Sequence, residues 1–157
     1  MYSNSNEQRI LGALQINQRI GSRIFKFALK DTTPELYPFN NNGEWAWPSF
    51  STLTQLAASP QISALLANQF NTTFTTFVIW AYSVGLEDGY WCTSVTPADL
   101  AIEVEQFSDL TAYLMQTYAG SNMTFTLEHW EGDWAARCGT HNAGLRRESL
   151  LCDCSLT

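Results

Sequence analysis

Seven consecutive residues, Glu128-His129-Trp130-Glu131-Gly132-Asp133-Trp134, gather three carboxylates and two indoles. Hydrolysis of a glycosidic bond calls for such a set. One carboxyl group protonates the leaving oxygen, a second acts as nucleophile or activates water, and aromatic faces hold the sugar ring. Glu131, placed where a strand-forming run breaks at Gly132, is the candidate general acid, with Trp130, Trp134, Asp133 and Glu128 as candidate substrate contacts. A plainer account also fits, in which Glu128 and Asp133 are solvated or structural charges and the tryptophans cap a core. His129 beside Glu128 suggests a base held by a carboxylate, yet neighbours in a strand face opposite ways, which argues against that pair.

Other aromatic residues fall in apparent loops, where core packing does not demand them: Tyr37, Trp45, Trp47, Tyr90 and Trp91. Trp45, Trp47 and Trp91 are further candidate sugar platforms. Lys26 and Tyr82 read as lying near the carboxyl ends of strands, facing a pocket or else making a local ion pair or packing contact. Cys138, His141, Cys152 and Cys154 are zinc-type ligands, but their spacing fits no common finger, and unpaired or oxidised thiols are the expected state. No metal is assigned. Dinucleotide, phosphate-loop, nucleophile-elbow and zincin motifs are lacking too, so no cofactor is expected.

The elements that must position these groups alternate regularly. Residues 7–20 place Ile10, Leu11, Leu14 and Ile20 near one helical face that ends at Gly21. Residues 23–29 are short, aromatic and β-branched, with Asp31-Thr-Thr-Pro34 as punctuation. Residues 51–70 repeat apolar side chains at helical spacing and are split by Pro60. Residues 74–83 are almost unbroken in β-forming residues, as a strand buried on both faces would be. Thr96 offers an N-cap, Pro97 a first helical residue, and Leu100, Val104, Phe107, Leu110, Leu114 and Tyr118 a helical stripe as far as Gly120. Residues 123–130 form a third strand, on which Thr124, Thr126 and Glu128 share one face and Phe125 and Leu127 the other. The order α, β, α, β, α, β predicts an α/β fold with parallel strands. The loops after the strands are the long ones, and in such folds chemistry gathers at the carboxyl ends of the strands.

Composition narrows the partners. A 157-residue chain with 45% hydrophobic content can bury one core. A formal net charge of -7, with no basic cluster before Arg146-Arg147, offers no footprint for a phosphate backbone, so nucleic acid is not an expected partner. The sequence carries no run long and apolar enough for a membrane span, and its start lacks the apolar stretch of a secretory signal. No membrane association is expected, and the compartment is left open. The triplets Asn71-Thr-Thr73 and Asn122-Met-Thr124 are glycosylation sequons that would matter only in a secreted chain.

Three stretches together resemble a family of mostly uncharacterised bacterial and fungal proteins in the (β/α)8 glycoside-hydrolase superfamily. These are Gly21-Ser-Arg-Ile-Phe-Lys26, the loop from Leu36-Tyr-Pro-Phe39 to Trp47-Pro-Ser-Phe50, and Thr124-Phe-Thr-Leu-Glu-His-Trp-Glu-Gly-Asp-Trp-Ala-Ala-Arg137. The resemblance spans most of residues 20–137, and the Trp-Glu-Gly-Asp-Trp strand end is its specific part. It implies a TIM-barrel fold and a carbohydrate-active protein. In retaining members the fourth strand ends in Asn-Glu, whose Glu is the acid/base, and the nucleophile closes the seventh strand. Glu131 takes the acid/base position by this resemblance, with Trp130 where Asn is usual.

A full barrel takes about 250 residues, so the expectation is a partial (β/α)8 TIM-barrel-like segment with parallel strands, about half a barrel. It would span residues 1–137, followed by an irregular tail over 138–157. Such a piece lacks a nucleophile, would be inactive alone, and would expose sheet edges through which copies self-associate. The alternative is a small non-catalytic α/β domain whose aromatic loops bind a ligand or a protein.

Overall fold

A computed structural model describes residues 9–36, 47–67, 74–86 and 95–129. The elements run α1 (Arg9–Arg19), β1 (Ile24–Leu29), α2 (Thr33–Leu36), α3 (Leu53–Ala57), α4 (Pro60–Leu66), β2 (Thr76–Ala81), α5 (Pro97–Thr117) and β3 (Thr124–His129). The three strands form one parallel sheet in the order β1-β2-β3. The fold is therefore α/β, as the alternating elements predict. The third strand's expected last residue, Trp130, lies outside the described residues.

Sequential order and one-sided covering go together. Right-handed crossovers that step the same way across a sheet place every connecting helix on the same face. Accordingly Leu14 of α1, Leu53, Leu56 and Ala57 of α3, Ile62, Leu65 and Leu66 of α4, and Leu110 and Leu114 of α5 join Phe25, Phe27, Leu29, Phe77, Ile79 and Ala81 in one buried cluster. Burial of each large apolar side chain there contributes roughly 1.5–3 kcal/mol. Phe125 and Leu127 of β3 pack against the same cluster.

The opposite face is less covered among the described residues: Ile24, Lys26, Thr124 and Thr126 are exposed there, whereas Ala28 is buried. In β2, Phe77, Ile79 and Ala81 are buried while Thr76, Val78 and Trp80 are half-buried. This departs from the expectation of a strand buried on both faces: among the described residues, α1, α3, α4 and α5 all join the core cluster on the first face. β3 alternates as expected, with Thr124 and Thr126 exposed and Phe125 and Leu127 partly buried.

Local chemistry explains the helix ends. Thr96 Oγ1 accepts from the backbone N–H of Asp99, and an Asp99 carboxylate oxygen accepts from the Thr96 N–H at 2.8 Å, closing a capping box. The hydrogen bonds from the Thr96 side chain and backbone hold the Asp99 carboxyl below the usual carboxylate range. Pro60 opens α4 as its first residue, with Ser59 as N-cap. Thr33-Pro34, read from the sequence as punctuation, instead starts the short α2. Proline is tolerated in a first helical turn, and Thr33 Oγ1 caps the chain by accepting from Lys30 N at 2.7 Å.

The buried stripe of α5 differs from the predicted one. Glu103, Gln106, Leu110 and Leu114 are buried, whereas Leu100 and Val104 are exposed. As a crossover helix α5 runs antiparallel to the strands, so its N-terminal half lies beside their carboxyl ends and its C-terminal half over the apolar core. Gln106 fixes the rotation. Its Oε1 accepts from Leu53 N at 3.1 Å and Val84 N at 3.0 Å, and its Nε2 donates to Val84 O at 2.8 Å. Val104, about 200° around the helix from Gln106, is thereby turned to solvent.

Candidate functional site at the open face of the sheet

Strand register places the side chains of the open face in three rows: Ile24, Thr76 and Thr124; Lys26, Val78 and Thr126; and Ala28, Trp80 and Glu128. The rows become more aromatic and charged toward the carboxyl ends. Lys26 Nζ meets Glu128 Oε2 at 2.5 Å. The partners sit on the two outer strands, about 10 Å apart across the sheet, so the lysine stem spans β2 between Val78 and Trp80. Lys26 is the third of six residues of β1. This corrects its expected place near the strand's carboxyl end; of the two readings offered for it, the ion pair is the one found, with a partner on another strand.

Trp80, which the sequence reading passed over, stands in the central strand with Ala28 on one side and Glu128 on the other. The signal for it was parity: Thr76, Val78 and Trp80 alternate with Phe77 and Ile79, and only one set can face the core. An indole beside an ammonium–carboxylate pair offers a flat apolar surface, a donor and an acceptor within one patch. Each charge is largely balanced by the other, and both side chains are about half exposed, at 57% and 43%.

On the other face, His129 closes β3. Its Nε2 pairs with Glu103 Oε1 of α5, and its ring lies 5.7 Å from that of Phe107 and 6.2 Å from that of Tyr82. Thus His129 has a carboxylate partner, but from the helix and not from Glu128. Glu103 was legible only as a carboxylate on the buried stripe that also carries Leu110 and Leu114.

Tyr82, just past β2, is 7% exposed, meets Trp80 edge-on at 6.0 Å, and has the Lys30 ammonium 5.1 Å from its ring centre. Ser83 follows, 6% exposed, and its Oγ has no hydrogen-bond partner among the described residues.

Of the other expected site residues, Trp47 is half-buried and packs against the core cluster. Trp45, Trp91, Trp130, Glu131, Asp133 and Trp134 lie outside the described residues, as do Cys138, His141, Cys152 and Cys154. Among the described residues no group of three or more His, Cys, Asp or Glu side chains is arranged to hold a metal ion. No helix among them is long and apolar enough to cross a membrane. No family model, curated protein or solved structure matches the chain. What the site does must follow from its geometry and the chemistry of its side chains.

Proposed function

We propose that the open face is the carbohydrate-binding surface of a glycoside-hydrolase-like (β/α)-barrel segment. The observation that carries this reading is the half-buried Trp80 beside the half-exposed Lys26–Glu128 pair, on the face of a sheet wound in one direction that lies away from the core cluster. A closed barrel made of such units turns that face inward and its helices outward. Sugars stack apolar C–H faces on indoles and hydrogen-bond through hydroxyls, and the pair offers both a donor and an acceptor for them. Glu128 serves here to bind, since its Oε2 is already engaged by Lys26. The proton-transfer role belongs, by the resemblance of the Trp-Glu-Gly-Asp-Trp motif, to Glu131. Further β/α units would have to supply the nucleophile, so this segment binds sugar and hydrolyses none by itself.

The alternative, a non-catalytic domain, uses the same surface and is separated from it by the second arm of the test. The first arm is titration calorimetry with neutral oligosaccharides. Binding that falls at least about tenfold in Trp80→Ala, and severalfold in Lys26→Met or Glu128→Gln, is expected from the loss of one stacking platform and one hydrogen-bonding pair. No binding by the wild-type chain, or equal binding by Trp80→Ala, overturns the surface. The second arm joins the chain to the further β/α units that a closed barrel would need: Glu131→Gln should then cut hydrolysis by orders of magnitude, and near-normal rates overturn the acid/base assignment.

A further inference from the structure

We propose that a second copy of this chain docks head to tail, with the α5 and β3 side of one copy set against the α1 and β1 side of the next. The proposal stands on geometry and charge and does not depend on the sugar-binding reading. The sheet runs β1-β2-β3, so β1 and β3 are its outer strands, and no described strand is bonded to the far side of either. An outer strand is where another chain adds to a sheet. Here α1 leads into the one and α5 into the other.

Each of these helices holds apolar side chains that the fold leaves in water. On α5, Gln106 faces α3, where it bonds Leu53, and Glu103 and Phe107 face His129 of β3. Continuing around the helix in the same direction come Leu100, Val104 and Met115, which are 43%, 66% and 68% exposed. They lie past β3, on the side of α5 away from α3. On α1, Leu14 is in the core, whereas Ile16 and Ile20 are 46% and 75% exposed. Ile20 N donates to Ile16 O at 3.2 Å, so these two side chains stand one turn apart on one face. Charge decides which surface meets which. α1 carries Arg9 and Arg19 and no carboxylate, while α5 carries Asp99, Glu103, Glu105 and Asp109 and no Lys or Arg. Two α5 surfaces repel one another, and so do two α1 surfaces, whereas α5 against α1 brings opposite signs together. The exposed Glu105 next to Val104 and the exposed Arg19 next to Ile20 are the charges at the rim. Such a contact joins two different surfaces, so copies close into a ring or extend as a chain.

The test is sedimentation equilibrium of the full chain in reducing, low-salt buffer, from micromolar to submillimolar concentration. The mass should rise above that of one chain with concentration, and added salt should weaken the association. Val104→Ser and Ile20→Ser should each weaken it about tenfold through lost apolar burial. Arg19→Glu and Glu105→Lys should each weaken it severalfold, by setting like charges together. Mixing those two variants should restore it, because the new glutamate of one then meets the new lysine of the other. All four positions are exposed, so none of the changes disturbs the core. A mass of one chain at every concentration overturns the proposal, and is the result expected if residues 130–157 of the same chain cover the α5 flank instead. Association undiminished in Val104→Ser and Ile20→Ser, or a mixture no better than either charge variant alone, overturns the head-to-tail contact.

Discussion

Replacing Gln106 by Leu should be among the most damaging single changes outside the apolar core. The side chain is 7% exposed and makes three hydrogen bonds to backbone. Leu53 N belongs to the first residue of α3, one of the donors a helix cannot satisfy itself, and Leu53 is fully buried. Without the amide, that N–H loses its partner at about 1–3 kcal/mol. The N–H and C=O of the half-buried Val84 can recover part of their solvation, so each adds roughly 0.5–1 kcal/mol. Leucine keeps the volume and regains some apolar burial, which leaves a net loss on the order of 2–4 kcal/mol. For a chain of this size that is a fall in Tm of roughly 5–15 °C.

Urea unfolding followed by tryptophan fluorescence measures it, with the exposed Gln116→Leu as control, expected to change stability by less than about 0.5 kcal/mol. Gln106→Glu keeps the acceptor for both N–H groups but sets an oxygen against Val84 O, so it should fall between wild type and leucine. A loss below about 0.5 kcal/mol in Gln106→Leu would refute the reasoning, since the amide would then not be what orients α5 or holds the segment after β2.

Two pH effects follow from the helix termini. Burial, with the neighbouring Tyr113 adding to it, pushes the Tyr118 phenol up to about 12 from its ordinary 10.0. The folded state therefore favours the neutral phenol, and stability present below pH 10.0 is lost as pH rises toward about 12. Ultraviolet titration should show one late-ionising tyrosine that disappears in Tyr118→Phe; an unchanged profile counts against the buried phenol. Asp99 moves the other way, since its hydrogen bonds from Thr96 favour the carboxylate. Its contribution is present above the ordinary 3.8 and lost as pH falls below that value. Asp99→Asn should lower stability at neutral pH and leave it little changed well below 3.8, so the acid limb flattens, and an acid limb as steep as in wild type contradicts the capping box.

The parallel strands were legible in the sequence because the signals for them are local. Phe25 and Phe27 alternate with Lys26, a crossover helix stands between each pair of strands, and Thr96-Pro97 with Asp99 marks a helix start by hydrogen bonds that span only three residues. Gly21 and Gly120 mark the helix stops for an equally local reason, the positive φ of 78° and 73° that other residues resist.

The pairings across the sheet were not legible. Lys26 and Glu128 are separated by 102 positions and meet only because the register aligns two outer strands over Trp80. Leu100 and Val104 have helical spacing as good as that of Leu110 and Leu114, and periodicity cannot say which stripe turns inward. That choice was made by Gln106 and Glu103, whose partners lie on other elements. The sequence by itself determined the elements and their parallel direction. The tertiary structure alone decided which face is covered, which charges meet and where His129 is held, because hydrogen bonds and ion pairs between distant residues depend on register and rotation that no local pattern encodes.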